Sequence, residues 1–276
     1  MNLRKLRHHL TPDWLRLESR RQWRDILFRH LGIQRCRTPP ILIRRRDLSL
    51  RSCLPFVVAH ELLQNPQLTF MQIGAFDGVG DDDLRELVFT HHLRGVLIEP
   101  QPAAFARLQH TYRDQPQVRL LQAAVAECEG TRELFCRRGG VSMAASFDRG
   151  HLRRHGVADR YIDTQLVACH TVESALRTAG LERVDLVQID AEGYDWPIIQ
   201  SIDLAKLRPR IIRFEYGNMH RRDANTCLQH LAGHGYRFIV EPRDIIAHLG
   251  LGSDPAKSVG GNLAAPTAAL SRRLIA

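Results

Sequence analysis

The sequence lacks any run of about 18 apolar residues, the length that a membrane-spanning helix needs. Its first residues, MNLRKLRHHLTPDW, are charged and lack the apolar core and small-residue cleavage site of a signal peptide. The six cysteines are scattered and include no C-x-x-C pair, which argues against both a zinc site and a disulfide framework. These absences predict a cytoplasmic protein in a reducing compartment.

Positive charge is present but unevenly placed. The chain carries a net charge of +9, yet residues 1–51 alone hold 14 Lys and Arg against 4 Asp and Glu. The near-neutral remainder argues against a nucleic-acid partner, which would favour a uniformly basic domain. Residues 13–31 predict a basic amphipathic helix. This helix either packs on the main domain or contacts the inner face of an anionic membrane, and both alternatives stay open.

Three segments follow from changes in composition. We interpret residues 1–55 as a basic N-terminal helical arm with a linker and residues 56–250 as the main domain. Residues 251–276 are rich in Gly, Ala, Ser and Pro, which predicts a flexible C-terminal tail.

Within the main domain, apolar runs of strand length alternate with helical patterns. Strands are predicted at 68–78 (breaking at Gly74), 94–100, 118–126, 132–137, 184–190, 210–216 and 236–241. Helices are predicted at 56–64, 81–93, 103–112, 171–180, 196–202 and 224–235. The alternation predicts an α/β fold with a mainly parallel sheet and helices on both faces. Residues 139–165 show no regular pattern, so we expect a lid or binding loop there.

A turn, QIGAFDG, follows the first of these strands and precedes a helix. In such a sheet, ligands bind beyond the carboxyl ends of the strands. The turn is neither G-x-G-x-x-G nor a P-loop, and its acids would repel a pyrophosphate, so it favours a cationic ligand. Glu99 ends the next strand, 25 residues after Gly74, where an acid accepts the ribose hydroxyls in dinucleotide folds. Together these features predict a nucleoside-binding site.

Several segments resemble the FkbM-type S-adenosylmethionine-dependent methyltransferases. They are FMQIGAFDGVGDDDL, GVLIEPQPAAF, VRLLQAAVA, VDLVQIDAEGYDWPIIQSID, PRIIRFEYGNM and GHGYRF with RDIIAH, in the order that the family has them. The resemblance covers about residues 66–248 and implies a Rossmann-like methyltransferase fold. It also implies S-adenosylmethionine as the methyl donor and O-methylation of a hydroxyl on a sugar, glycan or secondary metabolite.

Residue by residue, the resemblance implies a cofactor site. Its members would be Gln72, Gly74, Ala75, Asp77 and Gly78 on the methionine side, Glu99 and Pro100 at the ribose, Ala123 and Ala124 near the adenine, and Asp190 beside the sulfonium. The chain departs from the family at Phe76, where an Asn is frequent. Since the donor is a cation, a pocket rich in carboxylates suits it.

Three carboxylates are candidates for the base that removes the acceptor's proton: Asp190, Glu192 and Glu215. Glu192 is equally explained as an acid that orders its loop, and Glu215 as a structural hydrogen-bonding group. Asp190 and Glu215 are also the pair that would hold a Mg²⁺, although the sequence cannot separate such a site from a plain acid pair. We expect Asp195 to cap the helix that Trp196 and Pro197 begin.

The acceptor cleft is predicted to include Ser146, Phe147 and His220. Arginines between residues 149 and 154 would suit an anionic acceptor or simply face solvent. Two other functions stay open. One is a nucleotide-dependent oxidoreductase, which the Gly spacing and acidic turn disfavour. The other is a non-catalytic RNA-binding or membrane-associated module on the same fold, supported by the basic arm alone. The oligomeric state and the acceptor's identity do not follow from the sequence.

Overall fold

The computed structural model describes residues 33–35, 42–44, 52–80 and 82–250. The predicted helix at 13–31 and the predicted tail at 251–276 lie outside these residues, so membrane contact through the arm stays a prediction. Before residue 52 only two short strands are described, and β1 (Ile33–Arg35) pairs antiparallel with β2 (Leu42–Arg44). Within the described ranges, no helix combines the length and the apolar character needed to cross a bilayer.

The main domain alternates strands and helices, as the sequence predicts. Its helices are α1 (Leu54–Gln64), α2 (Asp83–His91), α3 (Pro102–Thr111), α4 (Arg149–Arg154), α5 (Val172–Ala179), α6 (Asp195–Ser201) and α7 (Arg221–Gly233). Its strands are β3 (Thr69–Ile73), β4 (Arg94–Ile98), β5 (Val118–Leu121), β6 (Ala124–Val125), β7 (Gly130–Arg137), β8 (Ile162–His170), β9 (Leu186–Ile189), β10 (Ile211–Glu215), β11 (Arg237–Val240) and β12 (Asp244–His248). A short 3₁₀ turn spans Asp159–Tyr161.

A seven-stranded sheet forms the centre, in the order β11-β12-β10-β9-β3-β4-β5. The five strands from β10 to β5 pair parallel. Only β12 runs antiparallel, against both β10 and β11. The fold is therefore α/β and Rossmann-like with a mainly parallel sheet, which confirms the predicted class.

Helices cover both faces of this sheet, because its strands are buried on both sides. Met71 and Ile73 of β3 pack in one core with α5, α6 and α7, whereas Phe70 packs in a second core with α1, α2 and α3. All five residues of β3 are buried. A strand buried on both faces reads as a continuous apolar run rather than an alternating one, which is why the sequence pattern identified it.

The ends of α5 show why local sequence predicted helix bounds well. Thr171 and Ser174 form a reciprocal capping box at its start. Gly180 ends it in the left-handed conformation, at a φ of 67°. The predicted Thr cap and Gly stop are confirmed.

Two strands were not predicted. β8 begins inside the segment expected to be irregular and pairs with β7 and β6 in a separate three-stranded sheet. β12 lies between β10 and β11 in the main sheet and pairs antiparallel with both. Both owe their pairing to partners distant in sequence, which local patterns do not reveal. The connection from β7 to β8 carries α4.

The strand order reverses between β3 and β9. From β3 the chain proceeds outward to β4 and β5, and from β9 it proceeds the other way to β10. Loops that follow two such strands diverge to opposite faces and leave a crevice, where ligands of open α/β sheets bind. The Gly-rich turn follows β3 and the acid cluster follows β9, so both predicted features lie at this switch point.

Candidate active site

Two loops face each other at the switch point: the β3 loop, residues 74–80, and the β9 loop, residues 190–194. They touch through their backbones. A Cβ atom on Gly74 would lie 1.9 Å from the carbonyl oxygen of Asp190. Gly74 also has a φ of 80°, which favours glycine. Only glycine therefore lets these loops approach so closely.

Glu99, at the end of β4, holds the β3 loop from below. Its Oε2 accepts the backbone N–H of Phe76 at 3.0 Å, and its Oε1 accepts the N–H of Gln101 at 2.8 Å and the Gln101 side-chain amide at 3.3 Å. The side chain is buried, and this burial raises its pKa although the backbone N–H groups oppose the shift. An ionised carboxylate has about four acceptor positions. One therefore remains for a ligand hydroxyl.

Phe76 adopts the left-handed conformation at a φ of 48°. This conformation costs an ordinary L-residue about 1–2 kcal/mol, whereas Asn and Gly tolerate it. The residue type that departs from the family's frequent Asn thus occupies the strained position of the turn.

Asp77 and Gly78 complete the turn. The Asp77 Oδ1 accepts the backbone N–H groups of Val79 at 3.0 Å and Gly80 at 3.3 Å. A Cβ on Gly78 would lie 2.6 Å from the Tyr112 ring, so the turn packs closely against the residue that follows α3. These contacts give Asp77 an ordering role within the loop.

The remaining predicted cofactor residues lie around the same sheet edge. Gln72 is buried on β3, and its Oε1 has no hydrogen-bond partner among the described residues. Ala123 and Ala124 are buried just beyond β5. Pro100 is half-buried directly after Glu99. The structure thus brings the whole predicted set to the carboxyl ends of β3, β4, β5 and β9.

Asp190 differs from the other acids because its side chain is solvent-accessible. Protein atoms nevertheless surround its carboxylate on most sides. The resulting desolvation, reinforced by Glu192 and Glu215, raises its pKa to about 7. A carboxylate with a strongly shifted pKa at a switch point is a candidate functional group.

Glu192 is held from several sides. It has a left-handed φ of 48°, and its backbone carbonyl accepts the hydroxyl of Ser146 at 2.9 Å. Its Oε2 accepts the Asn218 side-chain amide at 2.9 Å and lies 2.8 Å from His151 Nε2. The carboxylate is therefore oriented by two side chains outside its own loop, and the backbone by a third.

Glu215, at the end of β10, is buried, and both of its carboxylate oxygens accept hydrogen bonds. Its Oε2 accepts the second proton of the Asn218 amide at 2.6 Å, and its Oε1 accepts Arg243 Nε at 2.8 Å. Burial raises its pKa, while Arg243 opposes the shift. These contacts favour the structural alternative for Glu215. They give both of its oxygens partners within the protein, and nothing supports a Mg²⁺ shared with Asp190.

The predicted capping role of Asp195 is wrong. Asp195 is the first residue of α6 and completely buried, and the residue at the cap position is Tyr194. The Asp195 Oδ1 instead accepts the backbone N–H of Glu215 at 3.1 Å, which ties α6 to β10. Burial, reinforced by Asp190, raises its pKa well above the usual value. Sequence alone cannot distinguish a cap from the next position, where the side chain turns inward.

The predicted acceptor residues separate. Ser146 is buried with its hydroxyl on the β9 loop, and Phe147 packs edge-on against Tyr194 with ring centroids 5.0 Å apart. His220 is exposed at the start of α7 and does not cap it. Two of the three therefore border the β9 loop.

The arginines of the β7–β8 connection are paired on the surface. Arg149 and Arg153 bind Asp159, and Arg154 binds Asp148. These exposed pairs favour the solvent-facing alternative over binding of an anionic acceptor.

Sequence reasoning missed three residues that shape the site: His151, Asn218 and Arg243. Asn218 lies three residues beyond β10, in the same stretch that suggested His220. His151 shares a helical spacing of four residues with His155, a pattern that was present in the sequence. Arg243 reaches Glu215 only because β12 folds back beside β10. No local signal could have identified that contact.

A family model described as the methyltransferase FkbM domain matches residues 72–238, more than half of the chain. The search of curated proteins found no match to this chain.

Solved structures also match. The FkbM methyltransferase of Methylobacillus flagellatus KT is 11% identical over 66% of this chain and 44% of its own, with a TM-score of 0.43. The precorrin-6y C5,15-methyltransferase of Geobacter metallireducens GS-15 is 12% identical over 69% and 87%, with a TM-score of 0.36. The human methyltransferase 10 domain containing protein is 10% identical over 82% and 93%, with a TM-score of 0.37. The chain thus spans less than half the length of the first of these proteins.

Proposed function

This chain belongs to the FkbM methyltransferase family, and we propose that it transfers the methyl group of S-adenosylmethionine to a hydroxyl of a sugar, glycan or secondary metabolite. Family membership carries the methyltransferase activity and the use of S-adenosylmethionine. The hydroxyl acceptor is the part that we add. It is supported by an accessible carboxylate, Asp190, at the point where the β9 loop touches the β3 loop.

The residues at the switch point fit the cofactor. The missing Cβ of Gly74 lets the backbones of the β3 and β9 loops meet in one place. Glu99 retains an acceptor position for a ribose hydroxyl, and the unpaired Oε1 of Gln72 suits a hydrogen-bond donor. We assign the remaining contacts to Ala75, Asp77, Gly78, Pro100, Ala123 and Ala124. When bound, S-adenosylmethionine supplies a methyl group on a sulfonium cation, which the carboxylate of Asp190 would attract.

The chain's task is to hold an acceptor hydroxyl in line with the methyl carbon. Such positioning can contribute about 7–11 kcal/mol to lowering the barrier. The hydroxyl must also lose its proton, and a well-placed base commonly contributes about 10²–10⁴-fold. We assign this proton to a carboxylate oxygen of Asp190, since Glu215 and Glu192 are engaged in hydrogen bonds within the protein.

The acceptor would enter between the β9 loop and the β7–β8 connection. Phe147 offers a half-buried ring there, and Ser146 fixes the backbone of Glu192. His220, exposed at the start of α7, would border the outer part of the cleft. Since the arginines nearby are already paired with acids, we expect a neutral polyhydroxyl acceptor rather than an anionic one.

Calorimetry on the full-length chain tests the cofactor assignment. Glu99→Gln should weaken S-adenosylmethionine binding at least tenfold, because the ribose hydroxyls lose an ionised acceptor. Glu86→Gln changes an exposed acid on α2 and should leave the affinity unchanged. Equal affinity in both variants would remove Glu99 from the ribose contact. Binding of NAD⁺ in place of S-adenosylmethionine would instead support the oxidoreductase alternative.

The acceptor class is tested separately with methyl-labelled S-adenosylmethionine and a panel of neutral glycans, amines and carboxylic acids. We expect label on a hydroxyl oxygen of a neutral compound, located by mass spectrometry. Label on nitrogen or carbon would contradict O-methylation while leaving the methyltransferase assignment intact.

A further inference from the structure

Helix α4 and its last turn carry two histidines four residues apart, His151 and His155. One ring nitrogen of each histidine and a carboxylate oxygen of Glu192 all lie within 4.8 Å of one another. His151 is buried, His155 is exposed, and Glu192 belongs to the β9 loop. Two residues one helical turn apart with a third ligand from another element form a common arrangement for a metal ion.

The orientation of His155 leaves a nitrogen free for a ligand bond. Its Nδ1 lies 3.1 Å from the backbone carbonyl oxygen of His151. A carbonyl can only accept, so Nδ1 carries the proton and Nε2 presents a lone pair. Metal-binding histidines usually have their second nitrogen fixed in this way.

His151 and Glu192 are already held together. The Nε2 of His151 lies 2.8 Å from Glu192 Oε2, and Asn218 donates to the same oxygen at 2.9 Å. An ion would take the place of the proton between the two groups, as metal binding to histidine generally does. The side chain of His151 is only 2% exposed, so its ring cannot turn to water for an alternative partner.

We propose that His151, His155 and Glu192 bind one divalent transition-metal ion of the Zn²⁺ class. Two imidazole nitrogens and one carboxylate oxygen suit such ions, whereas Mg²⁺ and Ca²⁺ prefer oxygen ligands throughout. Ligand atoms about 2.0–2.2 Å from a common ion lie at most about 4.4 Å apart. The three ligand atoms, which lie within 4.8 Å of one another, therefore have to approach one another only slightly. The missing cysteine pairs, which argued against zinc, do not bear on a site of this type.

A second histidine pair in the same chain provides a matched comparison. His230 and His234 are also four residues apart, with His234 Nδ1 lying 2.9 Å from the carbonyl oxygen of His230. Their rings are 4.7 Å apart, against 4.2 Å for the first pair. Among the residues that the structure describes, however, no carboxylate joins this pair to make a group of three. It should therefore bind an ion only weakly.

A bound ion would connect α4 to the β9 loop. It would hold the β7–β8 connection next to the switch point. With Glu192 bound to the ion, Asp190 would be the accessible acid beside it. The binding site itself does not depend on the proposed hydroxyl acceptor.

The test uses the full-length protein freed of metal by chelation. Titration with Zn²⁺ by calorimetry, and with Co²⁺ by visible absorption, should show one tight site per chain. His155→Ala should weaken this site at least 100-fold, since it removes one of three ligands, and Glu192→Gln should weaken it similarly. His234→Ala should leave the affinity unchanged.

Thermal unfolding keeps the test independent of activity. Zn²⁺ should raise the melting temperature of the wild type and of His234→Ala, but not of His155→Ala, because only an ion bound to the folded state stabilises it. His155 is exposed, so its variant should fold without metal as the wild type does. The proposal is overturned if His155→Ala binds Zn²⁺ as tightly as the wild type, or if the wild type shows no tight site.

Discussion

The β3 loop and the β9 loop both contain residues with positive φ but differ in side-chain chemistry. Each contains one non-glycine residue at a φ of 48°, Phe76 in the first and Glu192 in the second. In the β3 loop, the available carboxylate oxygens accept backbone N–H groups. In the β9 loop, Asp190 remains accessible and Glu192 is held by side chains from other elements. The carboxylates around the first loop thus order its backbone, whereas the second loop keeps one carboxylate accessible for chemistry.

Neutralising one acid in each loop should have the largest effect and should affect the two loops differently. Asp190→Asn should lower kcat at least 100-fold, because it removes the proposed base. Asp77→Asn keeps an oxygen that accepts the N–H groups of Val79 and Gly80, so turnover should fall less than tenfold. The measurement is turnover with the acceptor found in the labelling screen. Similar losses in both variants would contradict the division of roles.

The contact between the loops is tested next by Gly74→Ala. The new Cβ would meet the Asp190 carbonyl oxygen at 1.9 Å and also strain a positive φ. We expect a loss of about 3 kcal/mol in the free energy of unfolding, measured with denaturant. Gly139→Ala is the matched control, since Gly139 has a φ of 76° and no neighbour within 4 Å. It should lose about 1–2 kcal/mol from backbone strain alone. Equal losses would mean that the loops do not press on each other.

Asp195, buried behind the β9 loop, should leave a pH signature on stability. Its pKa is raised in the folded state, so the folded protein binds this proton more tightly than the unfolded chain does. The stability that the protonated Asp195 contributes is therefore fully present below about pH 4. This contribution declines as the pH rises from there towards the pKa of the folded state. The decline from one such group approaches about 1.4 kcal/mol per pH unit.

Asp195→Asn should flatten that decline, and its unfolding free energy should exceed that of the wild type increasingly as the pH rises. The amide oxygen can still accept the Glu215 N–H. Asp114→Asn, which changes an exposed acid, should leave the pH profile as it is. The measurement is denaturant unfolding between pH 4 and pH 8, and parallel profiles for Asp195→Asn and the wild type would contradict the raised pKa.

The smallest expected effect concerns the two strained residues. Phe76→Asn should stabilise the fold by about 1 kcal/mol, because Asn tolerates the left-handed conformation better. Glu192→Asn relieves the same strain but loses the contacts with His151 and Asn218, so it should destabilise. We therefore expect the melting temperature to rise for Phe76→Asn and to fall for Glu192→Asn. Shifts of the same sign in both variants would contradict the contrast between the loops.

The comparison also shows where sequence reasoning succeeded. Gly74 and Glu99 were identifiable because a glycine break and an acid at a strand end are local signals that follow apolar runs. The bounds of α5 were also predictable, because the residues that begin and end this helix lie at its own ends. Membership of the FkbM family agreed with the segments that carried the resemblance.

The errors have two causes, the direction of a side chain and strand pairing over long distances in sequence. Asp195 was placed one position off because a cap and a first helical residue differ in the direction of the side chain rather than in residue type. β8 and β12 were missed because each is defined by strands that lie far away in sequence. Arg243 reaches Glu215 through the pairing of β12 with β10, and Asn218 reaches Glu192 across 26 residues of sequence.

By itself, the sequence determined the α/β alternation, the parallel sheet and the sheet edge at which the cofactor is proposed to bind. These follow from periodicity and from turn residues, which act over a few positions of the chain. Only the tertiary structure decided which of three nearby acids stays accessible. Asp190, Glu192 and Asp195 lie within a stretch of six residues. Asp190 is accessible, whereas Glu192 is held by His151 and Asn218, and Asp195 is buried. Their chemistry depends on desolvation and hydrogen-bond partners, and those are supplied by strands and helices that meet only after folding.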